Sequence, residues 1–105
     1  MLLGNRERAI ETFEFLRDLA SDKNDPALLC EAYKLLGISF HAGKENNKAL
    51  ICFKKILELA TSHSLVGWDT LALQGLAVTY FSLNAIKKST FYRDRAARSI
   101  VHDAT

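Results

Sequence analysis

The sequence predicts an all-α protein, and three observations carry that prediction. Only five Gly and one Pro occur among 105 residues, so few residues interrupt helices. Apolar residues recur at spacings of three and four in five successive segments, as on the buried face of a helix. No segment shows the alternation of apolar and polar residues that a half-buried strand requires. We therefore expect five antiparallel helices in a single unit, residues 1–105.

The first two helices are predicted over residues 5–21 and from residue 26 to a break at 41–44. One face of the first helix collects the apolar residues Ala9, Phe13, Leu16 and Ala20. The second begins at Asp25-Pro26, because Asp is a favoured N-cap and proline suits the first turn. Its apolar stripe consists of Leu29, Tyr33, Leu36, Gly37 and Phe40.

The remaining three helices are predicted over residues 45–61, 66–83 and 86–101. The first of these has the clearest stripe, formed by Ala49, Phe53, Ile56 and Ala60. The next carries Leu73, Leu76, Ala77 and Tyr80 on one face, and Trp68 near its start is expected to pack between helices. Asn84 marks the turn into the last helix, since Asn tolerates the left-handed conformation that ends many helices.

Charge and cysteine content limit the classes of function. The net charge is +2, which attracts neither nucleic acid nor an anionic membrane without a concentrated basic face. Cys30 and Cys52 form no CxxC pair, so free thiols, buried on helices in a reducing compartment, are expected. Charged side chains begin at Arg6, before an apolar run long enough for a signal peptide or membrane span. We expect an intracellular, cytoplasmic protein with no membrane partner.

The sequence repeats itself at a fixed interval. Ala9-x3-Phe13 returns as Ala49-x3-Phe53, and Gly37-x2-Phe40 returns as Ala77-x2-Tyr80. A fixed period of this size, about 40 residues, is typical of stacked helical units, none of which can bury its apolar face alone. The period therefore predicts a solenoid.

The segment Tyr33-x2-Leu36-Gly37-x2-Phe40, followed by Ala49-x3-Phe53, resembles the tetratricopeptide pattern W-x2-L-G-x2-Y…A-x3-F in a lengthened form. The resemblance implies a short right-handed superhelix. Residues 1–24 would supply the second helix of an incomplete repeat, 25–64 a complete repeat and 65–105 a divergent one. In the divergent repeat, Ser89 and Arg93 stand where the pattern has Ala and Phe. A fragment of a longer array is expected.

The same resemblance implies a non-catalytic scaffold or adaptor. In this family the first helix of each hairpin lines a concave groove that binds a peptide or helix of a partner protein. The residues so assigned are Lys34, Ile38 and His41 in one repeat and Gln74, Val78 and Phe81 in the next. Apolar residues among polar ones would suit an amphipathic helix or an extended peptide.

Two alternatives stay open. The last helix carries a local basic patch of Lys87, Lys88, Arg93, Arg95 and Arg98, which could bind an acidic partner or, less favoured, nucleic acid; a solvated outer face is the simpler interpretation. Alternatively, the chain is a regulatory domain of a larger enzyme. A further hypothesis is self-association through exposed terminal helices.

Catalytic and cofactor motifs are absent from the sequence. It contains no phosphate loop, dinucleotide fingerprint, nucleophile elbow or HExxH. His41, His63 and His102 share no metal-ligand spacing with one another or with the cysteines. We therefore predict no catalytic residues, no metal, no cofactor and no small-molecule substrate.

Overall fold

The computed structural model describes residues 3–104, with side chains from residue 4 to residue 100. These residues form five helices and no strand, so the all-α prediction is confirmed. The predicted unit 1–105 also includes residues 1, 2 and 105, which lie outside the described part. The helices are α1 (Leu3–Asp22), α2 (Pro26–Ala42), α3 (Asn46–His63), α4 (Trp68–Ser82) and α5 (Ile86–Ala104).

The four connections between the helices share one backbone feature at a regular interval. Asn24, Lys44, Ser64 and Asn84 each have a φ between 52° and 61°, in the left-handed region. These positions are evenly spaced, at half of the sequence period. A single left-handed residue after a helix turns the chain sharply. The backbone NH groups that follow the helix then donate hydrogen bonds to the carbonyls of its last turn. The repeat is therefore visible in the backbone as well as in the sequence.

The start of α2 follows the predicted capping signal. Asp25 has an extended backbone, and its side chain accepts a hydrogen bond of 3.1 Å from the backbone NH of Leu28. Pro26 occupies the first turn, where a missing NH costs nothing. By contrast, α4 begins at Trp68, two residues later than predicted, because Gly67 has a φ of 91° that no helical residue adopts.

Each helix packs against its neighbours in chain order, and α2 also contacts α4. Two side-chain pairs fix the relative direction of α2 and α4. Lys34 lies over the ring of Trp68 at the start of α4, and His41 reaches Ser82 at its end. The two helices therefore run parallel, on the same side of α3.

No helix within the described residues is long and apolar enough to cross a membrane.

The core lies where α3 meets α2 and α4. Its buried members include Cys30, Ala49, Phe53, Ile56 and Leu76, and Trp68 packs against them while partly buried. Cys30 and Cys52 are both free and buried, as predicted. The small and large residues of the α3 stripe therefore pack differently. Ala49 allows the neighbouring helices to approach, and Phe53 fills the space between α2 and α4.

Candidate functional site

The structure brings five of the six predicted groove residues around one cavity between α2 and α4. The cavity measures about 270 Å³, and its lining includes Lys34, Ile38, His41, Gln74 and Val78. We call this surface the groove. Because α2 and α4 run parallel, residues spaced by three or four along each helix form two facing rows. The sequence period therefore places Ile38 and Val78 at equivalent points of the two rows.

Phe53 of α3 forms the floor of the groove. Its ring lies between two glycines, Gly37 of α2 and Gly75 of α4. A Cβ atom on Gly37 would lie 2.9 Å from the ring Cζ, and one on Gly75 would lie 2.5 Å from Cε1. Both distances are shorter than a van der Waals contact, so neither position admits a side chain unless the ring moves. The two glycines let α2 and α4 approach Phe53 closely enough to define the groove.

Polar contacts tie down each end of the groove. Lys34 pairs with Glu31 at 2.9 Å, and its ammonium lies 5.8 Å from the centre of the Trp68 ring. At the other end, the His41 Nε2 and the Ser82 hydroxyl are 3.0 Å apart. Both groups connect α2 to α4, so these predicted contact residues also hold the two walls in register.

The rims of the groove are apolar and open to solvent. Ile38 is 53% exposed and Val78 54% exposed. Branched aliphatic side chains at such exposure gain free energy when a partner covers them, about 25 cal/mol for each Å² removed from water. The arrangement can therefore hold apolar side chains of a ligand, with Gln74 available for a hydrogen bond.

Phe81, the sixth predicted residue, lines a neighbouring cavity instead. This cavity measures about 450 Å³ and lies between α4 and α5. It shares Gln74 and Val78 with the groove, which makes the two surfaces continuous. We call it the end face, and it is lined by Gln74, Ala77, Val78, Phe81, Ser89, Arg93, Ala96, Ala97 and Ile100.

The five residues of the predicted basic patch do not share one surface. Arg93 lines the end face. At 3.6 residues per turn, the other four lie around the exposed outer side of α5, and they are Lys87, Lys88, Arg95 and Arg98. Phe91 lies among them, 51% exposed, with the Arg95 guanidinium 5.6 Å from its ring centre. The Lys88 ammonium lies 5.3 Å from the ring centre of Tyr80 on α4, so the outer side of α5 combines Lys87, Arg95 and Arg98 with the Phe91 ring.

Sequence reasoning missed three residues that shape the groove, namely Leu71, Gly75 and Thr79. Thr79 is fully buried, and its hydroxyl donates to the Gly75 carbonyl at 2.7 Å. The only signal for these positions was their spacing of four, which places all three on one side of α4. Phe53 of α3 packs against that side of α4, and the repeat pattern does not predict this contact.

Ser89, which departs from the tetratricopeptide pattern, still packs at the crossing of α4 and α5. Its hydroxyl donates to the Ala77 carbonyl at 2.7 Å. Farther along α5, Ser99 donates to Asp69 Oδ2 at 3.0 Å and lies 2.7 Å from the Thr70 hydroxyl. Hydrogen bonds thus replace part of the small-residue packing found between α2 and α3, and they show that α4 and α5 are antiparallel.

Reactive or metal-binding chemistry has little geometric basis in the described residues. Within them, no three His, Cys, Asp or Glu side chains come close enough together to hold a metal ion. Burial raises the pKa of Cys30, and burial raises the pKa of Cys52 to about 11, with Arg17 acting weakly in the opposite direction. A thiol with a raised pKa is a poor nucleophile at neutral pH.

Comparison with known proteins gives no relative from which a role could be transferred. No protein-family model matches the sequence, and no significant match is found among curated proteins or solved structures.

Proposed function

We propose that this chain is a tetratricopeptide-like binding module that holds a helix or extended peptide of a partner protein, without catalysis. The observation that carries the proposal is the groove. Ile38 and Val78 stand on parallel helices, each about half exposed, on either side of a cavity of about 270 Å³. The sequence supports the same interpretation, because the tetratricopeptide resemblance assigns both residues to the groove and they are one sequence period apart.

The mechanism is display on a rigid frame. Phe53, packed between Gly37 and Gly75, sets the separation of the walls, and the Lys34 and His41 contacts hold their register. A surface that is already ordered loses little entropy on binding, so more of the contact energy appears as affinity. Alternate apolar side chains of the partner would fill the space above Phe53.

The test uses a displayed library of random peptides selected against the parent chain. The enriched peptides are then measured against an Ile38→Asp/Val78→Asp variant. Ile51→Asp is the matched control, because Ile51 is 61% exposed on α3 and does not line the groove. We expect the double variant to lose binding by at least about tenfold and the control to retain it, with equal helicity in all three. Equal binding by the double variant would remove the groove from consideration.

A second candidate function concerns the outer side of α5, and it rests on the exposed Phe91 ring, which has the Arg95 guanidinium 5.6 Å from its centre and Lys87 and Arg98 on the same side of the helix. Cations around an exposed ring suit an acidic peptide or a single nucleic acid strand. Labelled oligonucleotide and poly-glutamate probes, titrated at rising salt, test it. Binding through this side should weaken steeply with salt and be lost in Arg95→Glu. Binding that survives Arg95→Glu would contradict it.

A further inference from the structure

The end face is an uncovered apolar surface with one charged residue in it. Phe81 and Ile100 are 65% and 49% exposed, and Ala77, Ala96 and Ala97 lie between them. Small residues between larger ones form a trough along the line where α4 and α5 meet. Helices pack by placing the side-chain ridges of one into grooves of this kind on another.

The chain contains an internal precedent for what covers this trough. A shift by one sequence period maps the lining of the end face onto the face that the α2–α3 hairpin presents to α4. The pairs that matter here are Val78 with Ile38, Arg93 with Phe53 and Ile100 with Ala60. In the α2–α3 hairpin, α4 lies on that face, held by Gly75 against Phe53 and by the His41–Ser82 contact.

Burial differs between the covered and the uncovered copy at two of these pairs, whereas Ile38 and Val78 are equally exposed, at 53% and 54%. Phe53 and Ala60 are 5% and 3% exposed beneath α4. Their equivalents are open: the Arg93 side chain is 72% exposed and Ile100 is 49% exposed. The end face therefore has the form of a surface that receives a helix, and within the described residues no helix lies on it.

Arg93 stands where the covered copy has Phe53. This difference defines the chemistry of a helix that could cover the end face. The Arg93 Nε lies 3.9 Å from Asp94 Oδ1, and both side chains are largely exposed, so this ion pair contributes little. A helix covering the end face would bury part of the guanidinium among Ala97 and Ile100, where an unpaired charge is costly. The helix must therefore bring a carboxylate to Arg93.

We propose that the end face binds a partner's amphipathic helix that runs parallel to α4 and carries Gly or Ala one turn from an Asp or Glu. The small residue would take the place of Gly75, and the acidic residue the place of Leu71 or Thr79, which flank Phe53 in the covered copy. A second copy of this chain is disfavoured as occupant, because two end faces meeting about a two-fold axis would bring Arg93 near its own equivalent. This site is distinct from the groove of the proposed function, although Gln74 and Val78 border both.

The test uses peptides based on α4, residues 66–83, held helical by a lactam bridge on the outward side. One peptide carries Thr79→Glu and the other Thr79→Lys. Each is titrated into the isotope-labelled chain while backbone amide resonances are followed. We expect the glutamate peptide to shift the amide resonances of Ala96 and Ala97. It should bind about tenfold more weakly to the Arg93→Glu variant. The lysine peptide should bind that variant more tightly than the glutamate peptide does.

Further variants separate this proposal from the groove. Ile38→Asp should leave the dissociation constant of the glutamate peptide within twofold, whereas Ile100→Asp should abolish binding. The proposal is overturned if the glutamate peptide fails to saturate at millimolar concentration, if its binding ignores Arg93, or if the shifts centre on Ile38 and His41. Shifts centred on Phe53 would show displacement of α4, and concentration-dependent shifts without peptide would show a second copy in place. Either result also overturns it.

Discussion

The ring of Phe53 lies against the backbone of Gly75, in the space that a Cβ atom on residue 75 would occupy. Phe53 is 5% exposed, and the Cζ end of its ring also touches Gly37. One aromatic residue of α3 thus sets the distance between α2 and α4 and forms the floor between them. Both walls of the groove therefore meet the same ring.

Gly75→Ala should lower the free energy of unfolding by about 1–3 kcal/mol, because the added methyl group forces a buried ring to move. Alanine's higher helix propensity offsets about 1 kcal/mol at most. Chemical denaturation measures the change, and Gly4→Ala is the control, since no atom lies within 4 Å of a Cβ placed there. A Phe53→Leu/Gly75→Ala double variant should lose less than the two single changes together. Gly75→Ala at parent stability would contradict the close contact.

Most of the fold could be predicted because each helix carries a periodic apolar stripe ending in a turn residue. Asp25-Pro26 correctly predicted the first residue of α2, and Asn84 adopts the left-handed conformation expected of it in the turn before α5. The misplaced start of α4 has a local cause, since the left-handed Gly67 cannot belong to a helix.

The candidate site was harder to predict than the helices. The tetratricopeptide resemblance assigns Ile38 and Val78 to the groove, and the sequence period makes them equivalent residues of two parallel helices. Gly75 gave no such signal: its equivalent is Leu35, and a glycine within a helix does not reveal which ring it faces. The separation of Arg93 from the other basic residues of α5, by contrast, follows from their spacing at 3.6 residues per turn and could have been predicted.

Lys44→Gly should stabilise the fold by about 0.5–1 kcal/mol. Lys44 has a φ of 61° in the turn after α2 and is exposed, so its Cβ bears the steric cost of the left-handed region without a packing gain. Glycine removes that cost but adds entropy to the unfolded chain, and the net gain is therefore modest. Thermal unfolding followed by circular dichroism measures it.

Lys55→Gly is the matched control for this substitution, since it changes an exposed lysine within α3. We expect it to destabilise the chain by about 1 kcal/mol, the usual cost of glycine in a helix interior. Equal effects at the two positions would show that the backbone at Lys44 is not left-handed.

The Cys52 thiol should make the chain less stable at alkaline pH. Its pKa in the fold is about 11, above the ordinary value of 9.0, because burial penalises the thiolate. Between these two pH values the unfolded chain releases the proton and the folded chain keeps it, so unfolding becomes easier as pH rises. Below about pH 9 both states are protonated and the contribution is constant.

Urea unfolding at pH 7, 9 and 10.5 tests this dependence, with Cys52→Ala as the comparison. The parent should lose stability faster than the variant above pH 9, by at most about 1.4 kcal/mol per pH unit. Disulfide-exchange reagents at pH 8 should modify Cys52 only after denaturation. Rapid modification of the folded chain, or parallel pH profiles for the two proteins, would show that the thiol is not buried.

Ser99→Asp should detach the end of α5 from the start of α4. The Ser99 hydroxyl donates to Asp69 Oδ2, while Asp69 Oδ1 is already buried without a hydrogen-bond partner. Aspartate at position 99 removes that donor and places a second carboxylate beside the first, in a half-buried site where like charges are poorly screened. We expect a loss of about 2 kcal/mol and faster amide exchange in α5 than in α2. Ser62→Asp, exposed near the end of α3, should cost about 0.5 kcal/mol, because the same charge there meets only the helix dipole. If both variants lose the same amount, the α4–α5 contact at Asp69 does not hold the last helix in place.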